Sequence, residues 1–226
     1  MKILSFIIGL VFSLNVFAAG SFGTFMVVKG KVWIESSKGE KVQAKIKSVV
    51  NPGETVISEA DGSAKIVMSD RNVINILPGT ILKIEKYTND AKDKHVELRL
   101  QEGHFRADVN EKYDGKTSKF EIKTSIGVAA IRGTQLVVSH NSATNVMVVS
   151  TIVGEVEVSK IGTMTDALGF GVNGKVIVKN QQQVEVSKGP NAGKVETLKT
   201  KAFEALKKET EVEDESLQKA GAGVNN

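Results

Sequence analysis

The chain has 226 residues with 30 Lys and Arg against 26 Asp and Glu, a formal net charge of +4, and no cysteine. The missing cysteines exclude disulfides, thiolate metal sites and a lipid-modified cysteine. Aromatic residues make up only 5%, too few for the two aromatic girdles of a membrane barrel, and the chain ends on Asn226 where that class carries an aromatic. The lysines are scattered singly along alternating segments. A nucleic-acid partner needs a concentrated basic patch, so none is expected.

Residues 1–19 have the layout of a secretory signal peptide. Lys2 is the positive start, Ile3 to Leu14 a mostly apolar stretch, and Val16-Phe17-Ala18-Ala19 offers small residues for cleavage after Ala18 or Ala19. The competing reading is an uncleaved inner-membrane anchor. Ser5, Ser13 and Asn15 interrupt the run, which is short for a span of about 20 residues, so the signal peptide is favoured. No later segment is apolar enough to cross a bilayer as a helix, which leaves no transmembrane segment once the signal is removed. A periplasmic or secreted protein of a Gram-negative envelope follows.

From there the dominant pattern is period-two alternation, the mark of strands with one buried and one wet face. In chain order the predicted strands are Val27 to Glu35, Ala64 to Met68, Val73 to Leu77, Ile81 to Tyr87, Val96 to Leu100 and Phe105 to Val109. Phe120 to Thr124, Gln135 to Ser139, Val146 to Ile152, Val156 to Val158, Lys175 to Lys179 and Val184 to Val186 complete the set. Asn51-Pro52-Gly53, Asp61-Gly62, Pro78-Gly79, Asp114-Gly115 and Asn173-Gly174 supply the turns. About a dozen short strands at such spacing predict an all-β body over 20–190, either a solenoid or a two-sheet sandwich. Residues 191–226 change character. Val195 to Lys219 favours helix, with Val195, Leu198, Phe203, Leu206, Val212 and Leu217 as imperfectly spaced anchors and Glu204 and Lys208 paired at i,i+4. A marginal helix with a frayed Gly-Ala-Gly-Val-Asn-Asn end is expected.

Few residues suggest chemistry. Gly169-Phe170-Gly171-Val172-Asn173-Gly174-Lys175-Val176 matches G-x-G-x-x-G, but a strand follows where a phosphate loop needs a helix, so a hairpin loop is expected. Nucleophilic catalysis needs an activated serine beside a base, and no G-x-S-x-G is present. His95, His104 and His140 are too spread for a metal site, and His140 reads as part of a turn. No acidic stretch has the spacing of a calcium loop. His104, Arg106 and Asp108 share one strand face as a mixed-charge row, read as solvated surface and a tentative interaction site. No enzyme activity, cofactor or metal is expected.

Several stretches together resemble the FecR domain family, over roughly residues 25 to 190. They are Gly30-Lys31-Val32, Val50 to Val56, Ala60 to Ile66, Pro78 to Ile84, and Val96 to Val109 with Leu98, Leu100, Gly103, Phe105, Arg106 and Ala107. Phe120 to Thr124 leading into Val128 to Leu136, around Arg132-Gly133-Thr134, is the most specific piece, and Gly154-Glu155-Val156-Glu157-Val158 follows. Two departures stand out: Thr124-Ser125 replaces Thr-Pro, and Leu136 replaces an aromatic. The resemblance implies an all-β body that presents a surface to an envelope protein. It also implies a three-part regulator with a cytoplasmic sigma-factor segment and a membrane helix, neither of which is found in this sequence. Arg132, Gly133, Thr134, Gly103 and Gly154 are expected to be structural fastenings, with Arg132 a buried arginine tying neighbouring strands. The alternative function is an envelope structural or cell-wall polysaccharide-binding protein.

Overall fold

The computed structural model describes residues 20–90, 93–161, 175–187 and 193–213. The signal peptide at 1–19, most of the glycine-rich loop (169–174) and the chain end from 214 lie outside the described residues. The chain opens with β1 (Gly23–Lys29), β2 (Val32–Glu35), β3 (Lys41–Gln43), β4 (Val49–Val50), β5 (Thr55–Ser58) and β6 (Ser63–Met68). Next come β7 (Val73–Ile76), β8 (Ile81–Asn89), β9 (Lys94–Asp108), β10 (Ser118–Lys123), β11 (Gly127–Ile131) and β12 (Gln135–Asn141). The body ends with β13 (Val146–Val153), β14 (Glu155–Lys160), β15 (Lys175–Lys179), β16 (Gln182–Val186) and β17 (Val195–Thr197), followed by α1 (Thr200–Glu209).

All 17 strands are hydrogen-bonded into one sheet, which folds over into two layers. Layer A runs β4-β1-β6-β7-β9-β12-β13-β16-β17. Layer B runs β3-β2-β5-β8-β9-β10-β11-β14-β15. Strand β9 belongs to both: Lys94 to Glu102 pair within layer B and Gly103 to Asp108 within layer A. The inward residues of the two layers meet in one core, from Phe25, Ile66, Phe105 and Val149 of layer A to Leu82, Leu98, Phe120 and Val158 of layer B. Of the two architectures left open by the alternation, two stacked layers are therefore realised. The stacking also explains why β10 runs parallel to β9. The far end of β9 in layer A lies over its own beginning in layer B, so the loop 109–117 returns the chain with little length. Tyr113 of that loop is anchored in the interior, donating to Asp70 Oδ2 at 2.8 Å and stacking edge-on against Phe120. Burial, with Asp70 beside it, pushes its hydroxyl well above the usual phenol range.

The alternation located most of the body, with instructive differences. Val27 to Glu35, read as one strand, is two strands in different layers, split at Gly30-Lys31. The two runs 96–100 and 105–109 are one strand that continues through Gly103. The strands β3 and β4 carry too few residues to show a period, and β5 and β11 are further strands that the alternation did not mark. The predicted helix does not start at Val195: Val195–Thr197 is β17, paired with Gln182 to Val184. Two of its three residues are β-branched, and the exposed side of β16 was there to receive them. The helix is confined to Thr200–Glu209, and the expected Gly-Ala-Gly-Val-Asn-Asn end lies outside the described residues. Phe203 is 6% exposed and Val212 4%, because this segment lies on the outer side of layer A. No described helix is long and apolar enough to cross a membrane.

Candidate interaction site

Two corners with the same construction carry the chain between layers. At the first, Thr80 Oγ1 donates to the His104 carbonyl at 2.7 Å and accepts from the His104 N–H at 3.1 Å. Gly103 has φ +86°, and a Cβ there would stand 2.4 Å from the Gly79 carbonyl oxygen. At the second, Thr134 Oγ1 donates to the Glu155 carbonyl at 2.8 Å. Gly154 has φ +92°, and its Cβ would stand 3.0 Å from the Gly133 carbonyl oxygen. In both, a Gly-Thr step crosses a neighbouring glycine so closely that neither a side chain nor the usual backbone region is available there. Gly103, Gly133, Thr134 and Gly154 thus meet in fastening geometry.

Arg132 differs from the expectation. It is exposed, not a buried tie. Ile131 before it points into the core as the last residue of β11, so the next side chain is directed to solvent. Its guanidinium lies over Gly115, with Nη2 about 3.4 Å from where a Cβ would sit. Among the described residues it makes no hydrogen bond or ion pair. The nearby Asp114 does not neutralise it. That carboxylate is taken up by its own turn, accepting from the N–H groups of Lys116, Thr117 and Ser118 at 2.7 to 2.9 Å and from the Thr117 hydroxyl. Those bonds, the Thr117 hydroxyl first, hold Asp114 far below the usual carboxylate range. Lys112, whose stem approaches Gly133, and Lys116 are also exposed without acidic partners among the described residues.

The row His104, Arg106 and Asp108 was expected to be solvated, and the structure corrects this. Arg106 is 7% exposed under the C-terminal segment. Its Nε donates to Asp108 Oδ1 at 2.8 Å, while Nη1 reaches the Lys207 carbonyl at 3.3 Å and Glu211 Oε2 at 3.4 Å. It therefore serves one of the free carbonyls at the end of α1. Asn75 Oδ1 accepts from the Val212 N–H at 3.3 Å. Phe203 packs with Val137 and Ile152, and Val212 with Val27 and Leu77. Burial raises the Asp108 carboxyl despite the opposing Arg106, and burial lowers the His104 imidazole.

The outer side of layer B is a ladder of paired charges. Arg99 grips Glu85 through Nε and Nη2, and the hydrogen bond to Arg99 draws the Glu85 carboxyl below its ordinary value. His95, Glu97 and Glu121 bring potential ligand atoms within 4.8 Å of one another. Cations of the chain already serve them: Lys123 Nζ lies 2.6 Å from Glu97 and 3.5 Å from Glu121. Lys86 Nζ lies 3.2 Å from His95 Nδ1; an ammonium only donates, so Nδ1 accepts and Nε2 carries the ring proton. Nε2 is then not a ligand, and at 3.9 Å from Glu97 it is also too far for a hydrogen bond. The donor set does not fit a metal ion. His140, expected in a turn, is a buried residue of β12.

Residues 54–157 match the family described as FecR protein. Two solved structures of a putative anti-sigma factor from Parabacteroides distasonis share the fold. One is 15% identical over 66% of this chain with a TM-score of 0.50, the other 16% identical over 67% with the same score. The match spans 61% and 63% of those two chains, so about three-fifths of their length. No curated protein matches in sequence. The matched segment runs from β5 into β14 and holds both Gly-Thr corners, so this part of the chain is FecR-like.

Proposed function

We propose that this chain is a secreted module of the bacterial envelope that binds another protein in a signalling or scaffold role, a task that needs no turnover. In this reading residues 1–19 direct export and are removed. The match of residues 54–157 to the FecR family and the anti-sigma description of the structural neighbours support a regulatory setting. The observation that carries the reading is Arg132. It is held on a corner fastened by Gly133, Thr134 and Gly154, yet its guanidinium has no partner among the described residues, and Lys112 and Lys116 stand beside it equally free. A fork of donors on a stiff support suits a partner's carboxylates. Arg106, by contrast, is engaged by the chain's own C-terminal segment, with Asp108 paired to it.

The test is cross-linking in living cells through a C-terminal tag, followed by identification of what co-purifies from the envelope. A defined protein recovered with the native chain and with Arg99→Gln, but lost with Arg132→Gln, is the expected result. Equal recovery with Arg132→Gln, or recovery of cell-wall fragments alone, would move the role to a structural or polysaccharide-binding one.

A further inference from the structure

A reactive pair forms away from the Arg132 corner, at the turn between β10 and β11. Thr124 organises that turn from inside: its buried Oγ1 accepts the N–H groups of Ile126 at 3.2 Å and Gly127 at 3.0 Å. Ser125 is thereby turned outward and exposed. Its Oγ lies 3.0 Å from His140 Nε2. His140 is only 3% exposed and is fixed from behind, with Nδ1 at 2.7 Å from the Gln101 carbonyl oxygen. A carbonyl only accepts, so Nδ1 donates to it and Nε2 is the ring nitrogen that faces Ser125.

The third member is Asn145, in the β12–β13 turn at φ +51°, whose Oδ1 accepts from Ser125 Oγ at 2.5 Å. Serine has one proton and cannot give it to both neighbours. In the resting arrangement that proton goes to Asn145 Oδ1, and a turn of the hydroxyl hydrogen about the Cβ–Oγ bond redirects it to His140 Nε2. The pair opens on a cavity of about 460 Å³ lined also by Arg99, Gln101, Ser142 and Asn145, a size that holds small organic ligands. The FecR-like motif has proline where this chain has Ser125, so the hydroxyl is not demanded by the turn.

We propose that Ser125 is a nucleophile activated by His140 and that the cavity takes short-chain carboxylic esters. A nucleophile, a base within hydrogen-bond reach and a third group orienting the base are the working parts of acyl transfer. The Ser125 oxygen bonds to the ester carbon as its proton passes to His140 Nε2. The ester C–O bond then breaks, and the leaving alcohol takes that proton. Water attacks the acyl-serine in turn, giving one proton to Nε2 and from there to Oγ, and the acid departs.

The full chain is incubated with a fluorophosphonate probe and with p-nitrophenyl acetate, and adducts are located by intact mass and peptide mapping. One adduct per chain on Ser125 is expected, with ester turnover lost in Ser125→Ala. In His140→Gln the labelling rate falls about 100-fold or more, the usual scale of general-base assistance. Because His140 is buried, that comparison is read on protein whose thermal transition is retained. Asn145→Ala, at a less buried position, gives a second comparison: it removes the competing acceptor of the Ser125 proton, and its labelling rate is expected to equal or exceed that of the native chain. Absence of an adduct on Ser125 in the native chain overturns the proposal, as does labelling spread evenly over other serines. An adduct that forms equally fast in both the Asn145 and His140 variants overturns it as well. None of these outcomes bears on the Arg132 surface.

Discussion

The two halves of β9 alternate alike and end up in opposite surroundings. In the first half, Val96, Leu98 and Leu100 face the core while His95, Glu97 and Arg99 form an open ladder with β8 and β10. In the second, Phe105 and Ala107 face the same core while Arg106 on the outer side is sealed under α1 and Glu211. An arginine seven residues from another thus changes from a half-exposed ion pair, with 37% of its side chain accessible, to a buried hub with 8%. Strand periodicity decides which side is inward. Whether the other side stays wet depends on what else in the chain lies across it.

The strongest way to break the comparison is to remove the bend that makes it. Gly103→Ala combines a left-handed backbone with a Cβ overlapping the Gly79 carbonyl, and a loss of about 4 kcal/mol is expected in denaturant unfolding. Arg106→Ala leaves Asp108 buried without its cation and should cost about 3 kcal/mol by the same measurement. Phe203→Ala uncovers Val137 and Ile152. A loss of about 2 kcal/mol is expected, below that of a fully enclosed phenylalanine because only one helix covers the site. Arg99→Gln, on the open half, should change stability by no more than about 1 kcal/mol, and the difference should shrink as salt is added. Equal costs for Arg106→Ala and Arg99→Gln would sink the contrast between the two sides.

The finest probe is pH. Burial lowers the His104 pKa in the folded chain below its ordinary 6.5. The unfolded chain therefore binds the proton more readily, so this contribution to stability is complete above about pH 6.5 and is lost as pH falls through that value. Arg106 and Asp108 are the charged groups on the same side of the strand. Melting temperature measured from about pH 7.5 down to about pH 5.5 should decline, and the decline should be shallower in His104→Asn. An unchanged slope in that variant would assign the decline to other groups.

Legibility varied with how local the cause was. Period-two runs such as Phe120 to Thr124 and Lys175 to Lys179 state their own strand, because alternation and β-branching act within a few residues. Lys41–Gln43, Val49–Val50 and Val195–Thr197 do not, since such short segments become strands only when a neighbour offers its edge. The candidate sites were less legible still. Arg132 stood out through the FecR-like motif, but its exposure depends on where β11 ends. Ser125 and His140 are too far apart in sequence for any spacing rule. Only the pairing of β12 with β9 brings His140 onto the Gln101 carbonyl and opposite the β10–β11 turn.

The amino-acid sequence by itself determined the all-β class, the inward side of each long strand, the turns and the FecR relationship. These follow from side-chain volume, backbone preference and charge, which every residue carries with it wherever it is placed. The tertiary structure decided which outer side is covered, that Arg106 is buried and Arg132 exposed, and that a serine meets a histidine at the end of layer B. Those outcomes depend on long-range approach: a carbonyl, a helix end or a neighbouring edge supplies the partner, and no residue specifies such a partner until the layers have closed on each other.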